Sequence, residues 1–430
     1  MKRILFLVCC GALALGAVLT AQQRGPQLPE PQAPRPNPSR VVPRPESTMP
    51  KVPAGFTVDI YADNIQAPRM MEWAPNGDLF VSQTAPNIVA VLRDTNNDGR
   101  PDQRSVFLQG PPPPQRGRGG PEPAPAARGG VPQTLCLGDA VSGRQPYGIA
   151  FQPGYAYIGY TDCVVRYPYK PGDTQFQGKP EPLLYVPGGG NHFARNITFS
   201  RDGRKMYVAV GSASNNNEGE DVRRAAIDEY NPDGTGFRVF ASGLRNPTAL
   251  AWQPGTNILW TSVNERDNLG DDLVPDYATS VKEGGFYGWP FCYIGQHYDP
   301  LHVGKMPNLV KTAIVPDVLL PAHSAALGMQ FYTAMQFPQH FHNGAFLALH
   351  GSWNRSKANG YKVVYIPFQN GKAGQVEDFL TGFLVNDGSD GQQITTWGRP
   401  ASVAVTKDGA LLVSDDAGNR IWRVRYTGAK

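Results

Sequence analysis

Six times along this chain a short apolar strand, a glycine-bearing turn and a second strand recur, and this recurrence limits the possible folds severely. The copies are Met71-Glu-Trp-Ala-Pro-Asn-Gly-Asp-Leu-Phe-Val, Ile149-Ala-Phe-Gln-Pro-Gly-Tyr-Ala-Tyr-Ile, Ile197-Thr-Phe-Ser-Arg-Asp-Gly-Arg-Lys-Met-Tyr-Val, Leu250-Ala-Trp-Gln-Pro-Gly-Thr-Asn-Ile-Leu-Trp and Val403-Ala-Val-Thr-Lys-Asp-Gly-Ala-Leu-Leu-Val, with a degenerate copy from Phe337 to Leu349 around Asn343-Gly344. Each reads as a hairpin with a turn residue that tolerates positive φ. A longer echo fixes the register: Gly55-Phe-Thr-Val and Gly236-Phe-Arg-Val each lead into a proline shortly before a hairpin. Strand repeats without an amphipathic helix indicate an all-β fold, a six-bladed β-propeller of four-stranded antiparallel blades. A β-sandwich would not explain the recurrence. The 430 residues, with 48 glycines and 41 prolines, suit one large turn-rich domain over residues 51–428.

Two segments precede this domain and a third interrupts it. Met1-Lys2-Arg3, the apolar run Ile4 to Thr20 and a small residue at Ala21 compose an export signal over 1–21. The run is too short for a comfortable span, so cleavage without a stable membrane anchor is expected, with a periplasmic or secreted product. Residues 22–50 are Pro-rich and poor in apolar side chains, which predicts a disordered tether. Residues 111–131 form a low-complexity loop insertion. The mature chain keeps Cys136, Cys163 and Cys292; Cys136–Cys163 is the favoured bridge in an oxidising compartment, with unbonded thiols as the alternative.

A net charge of +4, with no basic stripe interleaved with aromatics, gives no nucleic-acid footprint. In a propeller the loops before the inner strands converge on one face, so residues distant in sequence can meet there. His192, Arg245, Arg355 and Arg399 occupy such positions. His192, in Gly188-Gly-Gly-Asn-His-Phe-Ala-Arg-Asn-Ile-Thr-Phe, is a candidate base, because imidazole accepts a hydroxyl proton near neutral pH. The glycine run is not a phosphate cradle, since no helix follows it. Arg245, Arg355, Lys357 and Arg399 form a basic set that implies a polyanionic ligand.

Metal signals are uneven. His340-Phe-His342, with His323 and His350, lacks a convincing fourth ligand for zinc. Asp94-Thr-Asn-Asn-Asp-Gly-Arg-Pro-Asp102 begins like a calcium loop but has no glutamate at the twelfth place, so it reads as a polar turn. The loop from Asn264 to Asp272 is the better calcium candidate, because backbone carbonyls and carboxylates both serve hard cations.

Asn191-His192, Gly243-Leu-Arg-Asn-Pro, Asn264-Glu-Arg-Asp with Gly270-Asp-Asp, Tyr287-Gly-Trp-Pro, His350-Gly-Ser-Trp-Asn-Arg and Gly398-Arg-Pro together give the chain a family likeness. From about Val52 to Tyr426 it resembles the soluble pyrroloquinoline-quinone (PQQ)-dependent sugar dehydrogenases, in the sorbosone dehydrogenase-like branch. The resemblance implies PQQ and Ca2+ as cofactors, a carbohydrate or sugar aldehyde as substrate, and an external electron acceptor such as a cytochrome or quinone. It implies that His192 is the general base and that hydride passes to the quinone C5, whose carbonyl Ca2+ and Arg245 polarise. Asn246 and Thr248 would line the cofactor, while Arg399 and either Arg355 or Lys357 would meet its carboxylates. The backbone carbonyls of Asp267 and Asn268 would hold Ca2+. Better-known members carry Gly-Pro at these two positions, Gln at Thr248 and a second arginine at Ala401, so substrate identity is left open. Two other functions fit a propeller: a calcium-dependent sugar lactonase, which needs carboxylate ligands from several blades, and a non-catalytic module binding glycans or proteins.

Overall fold

The computed structural model describes residues 25–110 and 145–428. The expected signal segment, the loop insertion 111–131 and Cys136 lie outside these residues. Among the described residues helix is confined to Pro307–Val310 and the 3-10 turn Gln339–Phe341.

Among the described residues, six sheets built on four antiparallel strands follow one another along the chain. The first holds Pro68–Trp73, Leu79–Gln83, Ile88–Arg93 and Gln103–Gln109, and the second Ile149–Gln152, Tyr155–Tyr160, Cys163–Pro168 and Glu181–Tyr185. The third holds Arg195–Phe199, Met206–Val210, Ala226–Tyr230 and Arg238–Ser242, with Gly285–Phe286 added in parallel at its edge. The fourth is Ala251–Trp252, Leu259–Val263, Pro275–Ser280 and Val318–Ala322; the fifth is Ala326–Phe331, Ala345–Leu349, Lys362–Ile366 and Glu377–Leu380. In the sixth, Pro400–Val405, Leu411–Asp415 and Arg420–Tyr426 are completed by Phe56–Asp63 from the start of the domain. Both halves of the Gly55/Gly236 echo therefore enter outer strands.

Five hairpins turn where the pattern placed them, with glycine in the left-handed region as at Gly77 (φ 90°). The degenerate copy differs. Its first strand is Ala326–Phe331, not the stretch beginning at Phe337. Pro338 has no amide proton for a ladder, and Phe337 and Phe341 turn into an aromatic core instead, leaving Asn343 (φ 60°) beside the second strand.

Second strands such as Leu79–Gln83, Met206–Val210, Leu259–Val263, Ala345–Leu349 and Leu411–Asp415 are buried along their whole length. Such burial requires cover on both faces of a sheet, and the core supplies it. Separate apolar clusters lie between sheets one and two, two and three, three and four, four and five, and five and six. A further cluster, with Tyr61, Leu79, Val81, Leu412 and Ile421, joins the sixth sheet to the first.

Residues 25–50, expected as a free tether, lie against the domain instead. The amide of Gln32 donates to Leu269 O, that of Asn37 to Trp353 O, and Arg40–Val41 pairs in parallel with Thr395–Thr396. Leu28 packs against the core between sheets three and four. Few apolar groups are needed to hold a proline-rich segment whose unfolded state has little conformational entropy to lose. Cys163 is disulfide-bonded, and Cys292 is buried with a free thiol. No described helix is long and apolar enough to cross a membrane.

Candidate active site

Antiparallel pairing puts the start of each first strand beside the end of its second strand. Pro400 pairs with Asp415, Arg195 with Val210, and Ala326 with Leu349. Residues at these ends gather on one face, and two polar groups form there.

His192 precedes Arg195–Phe199. Its Nδ1 lies 2.8 Å from Ser212 O and 3.1 Å from the Ser212 hydroxyl, whose own proton goes to Ser214 O at 2.6 Å. Both neighbours therefore accept, so Nδ1 carries the proton and Nε2 keeps its lone pair. Burial, and next the charge of Arg245, push the imidazole pKa down to about 3. The loop before it is held by two buried cations. Arg195 donates to Pro187 O, His192 O and Ala194 O, and Arg224 donates to Gly188 O, Gly189 O and Gly211 O.

Arg245 is 3% exposed and uses every donor. It reaches Asn215 O (3.0 Å), Glu265 O (2.6 Å), Asn264 O (3.3 Å), Asn215 Oδ1 (2.9 Å) and Asp267 Oδ2 (3.1 Å). It is therefore a fixed charge with no spare hydrogen bond. His323 closes the other side of Asp267, with Nδ1 at 3.4 Å, and donates from Nε2 to Gly270 O at 2.9 Å. Burial opposes the Asp267 carboxylate, but His323 and Arg245 hold its pKa below the ordinary value. Asn246 is buried, and its Oδ1 has no partner. Gly211 lets it approach His192: a Cβ at Gly211 would overlap Asn246 Oδ1 and sit 2.7 Å from His192 Cβ.

The second group surrounds Arg399, which donates to His350 O and Gly351 O, both at 3.0 Å, beneath the Tyr361 ring. His350 Nε2 donates to Asp416 Oδ1 at 2.9 Å, and Arg69 Nε lies 3.3 Å from Asp416 Oδ2. Burial, followed by Arg399, pushes the His350 pKa down to about 4, while His350 and Arg69 keep Asp416 ionised against its burial. Arg69 Nη1 is buried without a partner, and its guanidinium sits 5.8 Å from the Phe193 ring, next to His192. The loop 350–356 links the two groups, because Asn354 exchanges hydrogen bonds with Asn268 while Arg355 donates to Asp271 O and pairs with Asp272 at 3.0 Å.

The structure thus brings His192, Arg245, Asn246, Asp267, Asn268, Arg355 and Arg399 to one face. It sets two expected residues aside. Thr248 is fully buried beneath the face, where its hydroxyl donates to Ala326 O at 2.8 Å and meets Ser262 Oγ at 2.9 Å. Lys357 turns outward to Asp387 at 3.4 Å, leaving Arg355 as the basic group at the loop. Sequence reading missed Arg69, Asn215, Asp416 and the local role of His323 and His350.

Among the described residues no set of three His, Cys, Asp or Glu side chains is arranged for a metal. His340 pairs with Glu377 and His342 with Phe337 O, so they form no joint site. In the turn 94–102, the Asp94 and Asp102 carboxylates accept from Asp98 N, Gly99 N, Thr95 N and Thr95 Oγ1.

A model of the TrAA12-like family matches residues 141–427. An uncharacterised protein of Borreliella burgdorferi is 33% identical over 392 residues, covering 87% of this chain and 90% of that protein. The pyrroloquinoline quinone-dependent pyranose dehydrogenase of Coprinopsis cinerea is 28% identical over 236 residues, 43% of this chain and 31% of that enzyme. The holo form of its PQQ domain superposes with a TM-score of 0.68 at 19% identity, covering 89% of this chain and 98% of the domain. The calcium structure of the Trichoderma reesei protein of carbohydrate-active enzyme family AA12 superposes with a TM-score of 0.69 at 16% identity, covering 94% and 100%.

Proposed function

The chain belongs to the TrAA12-like family, and from that premise we propose that it is a PQQ-dependent oxidoreductase of sugars or sugar aldehydes, built as a six-bladed β-propeller. The six sheets and the apolar clusters between successive sheets, including sixth to first, support the architecture. The observation that carries the activity is His192: a neutral imidazole of fixed tautomer, its Nε2 lone pair on the same face as Arg69, Arg245, Arg355 and Arg399.

The residues fit the cofactors. A quinone with three carboxylates calls for guanidinium donors, and Arg69 Nη1 and Arg355 Nε are buried without partners. The lone Asn246 Oδ1 and the carbonyls of Asp267 and Asn268 offer oxygens to a hard cation. When bound, PQQ supplies a two-electron acceptor and Ca2+ a Lewis acid. The chain's own part is acid–base work and orientation. Nε2 of His192 takes the substrate hydroxyl proton, and Ser212 stabilises the resulting imidazolium through Nδ1–H. Arg399 and Arg355 orient the anionic cofactor, and Arg245 contributes fixed positive charge. The external acceptor would be a cytochrome or quinone outside the cytoplasm if the export signal expected at residues 1–21 operates.

Reconstitution tests the reading. Purified protein is titrated with PQQ in CaCl2 by visible absorbance, then assayed by dye reduction with a panel of aldoses and sugar aldehydes. Stoichiometric quinone binding with dye bleaching on at least one sugar is expected. No quinone binding and no bleaching overturn the proposal and leave a non-catalytic glycan- or protein-binding propeller.

A further inference from the structure

Four non-proline amides of the N-terminal segment are used in sequence as clips. Gln32 N donates to Leu269 O (2.9 Å), Asn37 N to Trp353 O (2.9 Å), Arg40 N to Ile394 O (2.9 Å) and Val42 N to Thr396 O (2.8 Å). The Asn37 side chain adds three hydrogen bonds, donating to Ser356 O (3.0 Å) and Gln392 O (2.9 Å) and accepting from Ile394 N (3.2 Å). Arg35 pairs with Asp271 at 3.2 Å, and His297 Nε2 donates to Pro26 O at 2.8 Å. The approach is close enough to restrict sequence: Gly270 has φ 95°, and a Cβ there would lie 2.7 Å from Gln32 Cβ.

Two of the four backbone clips, with the Asn37–Ser356 and Arg35–Asp271 contacts, hold the two loops that carry Asp267, Asn268 and Arg355, while the clips from Arg40 and Val42 anchor the segment to residues 394–396. The two loops are already joined, because Asp271 accepts from Ser356 N (3.1 Å) and the Ser356 hydroxyl, and Asn268 bonds Asn354. We propose that residues 26–42 are a strap whose Gln32 and Asn37 are positioning residues, holding loops 267–272 and 353–356 in the arrangement that takes the cation and the quinone. The proposal rests on the function given above. Since both loops must be ordered before they can bind, strap docking and cofactor loading are linked, and each strengthens the other reciprocally.

Hydrogen exchange on the full chain, followed by mass spectrometry, reads this directly. Adding PQQ and CaCl2 is expected to slow exchange in peptides spanning 26–42, although no cofactor atom need touch them. In the full-length double variant Gln32→Pro and Asn37→Ala, which removes one backbone clip and the three side-chain bonds, the PQQ Kd measured by absorbance at fixed CaCl2 is expected to rise about tenfold. The melting temperature of the cofactor-free protein should change little, because the clips lie at the surface of the fold. Unchanged exchange in 26–42 on loading, or an unchanged Kd in the double variant, overturns the strap. Failure of the unmutated chain to bind PQQ overturns instead the assignment of the face, and the strap with it.

Discussion

Gly211→Ala tests whether the contact between His192 and Asn246 governs the site. Gly211 follows the second strand of the third sheet, Met206–Val210, and its φ is outside the left-handed region, so alanine meets no backbone penalty. The effect is contact alone. The new methyl would sit 2.7 Å from His192 Cβ and overlap Asn246 Oδ1, whereas ordinary contact begins at 3.4 Å, so the imidazole must retreat by roughly 0.7 Å. Overpacking of this kind costs about 1–3 kcal/mol. For a chain of this size the unfolding entropy is about 0.8 kcal/mol per degree, so the melting temperature falls only about 1–4 °C. Function is more sensitive, since a misplacement near 1 Å costs up to about 100-fold in rate. The expected result is a folded protein with a 10- to 100-fold loss of dye reduction (about 1.4–2.7 kcal/mol) and weakened quinone binding. Gly77→Ala is the control: its φ of 90° imposes about 1–2 kcal/mol of strain, yet nothing lies within 4 Å of the new methyl and the turn is at the far end of its sheet. If both variants lose similar stability and Gly211→Ala keeps full binding and turnover, the reasoning fails.

Turnover of the reconstituted protein should be nearly constant from pH 8 to pH 5, because the His192 pKa of about 3 keeps its base form present throughout, whereas an ordinary imidazole at 6.5 would lose about 30-fold by pH 5. His192→Ala should keep quinone binding, measured by absorbance, and lose about 100- to 10,000-fold in kcat. Asp416→Ala should cost about 3–5 kcal/mol in urea unfolding, since it strands Arg69 and His350 in a buried site. Folded His350 has its pKa depressed to about 4, so the unfolded chain takes up this proton near 6.5 and stability falls as pH drops from 6.5 to 4, by about 3 kcal/mol for this group. His350→Gln should flatten that slope in urea midpoints; an identical slope would remove His350 as the source.

How far the sequence reached depended on how local each signal was. Five hairpins were legible because a turn glycine and two apolar strands lie within a dozen residues. The degenerate copy misled because Asn343-Gly344 is a genuine turn, but its first strand, Ala326–Phe331, is separated from it by the aromatic loop around Phe337. His192, Arg245 and Arg399 were legible as residues just before first strands. Their counterparts Ser212, His350 and Asp416 are equally regular, being at the ends of second strands, and pairs such as Pro400 with Asp415 show the register that would have found them. Thr248 was misplaced because it lies past the mouth of the hairpin, where Ser262 and Ala326 surround it.

The N-terminal segment is a different kind of failure, because composition described it correctly and still gave the wrong conformation. Prolines remove donors and apolar residues are scarce, so no periodicity can report an ordered path. The path depends on single amides meeting acceptors more than 200 residues away, as Gln32 meets Leu269 and Asn37 meets Trp353. A few such bonds, each worth about 0.5–1.5 kcal/mol, can dock a segment that is stiff before it binds, whereas a flexible one would lose more in ordering than they return. Proline content that argues against a core therefore argues for a strap wherever loops present unpaired carbonyls. Here such carbonyls come from Leu269 and Trp353, in the loops that carry Asp267, Asn268 and Arg355, and from Ile394 and Thr396, and the hydrogen-exchange experiment above decides whether the order of this segment is coupled to that face.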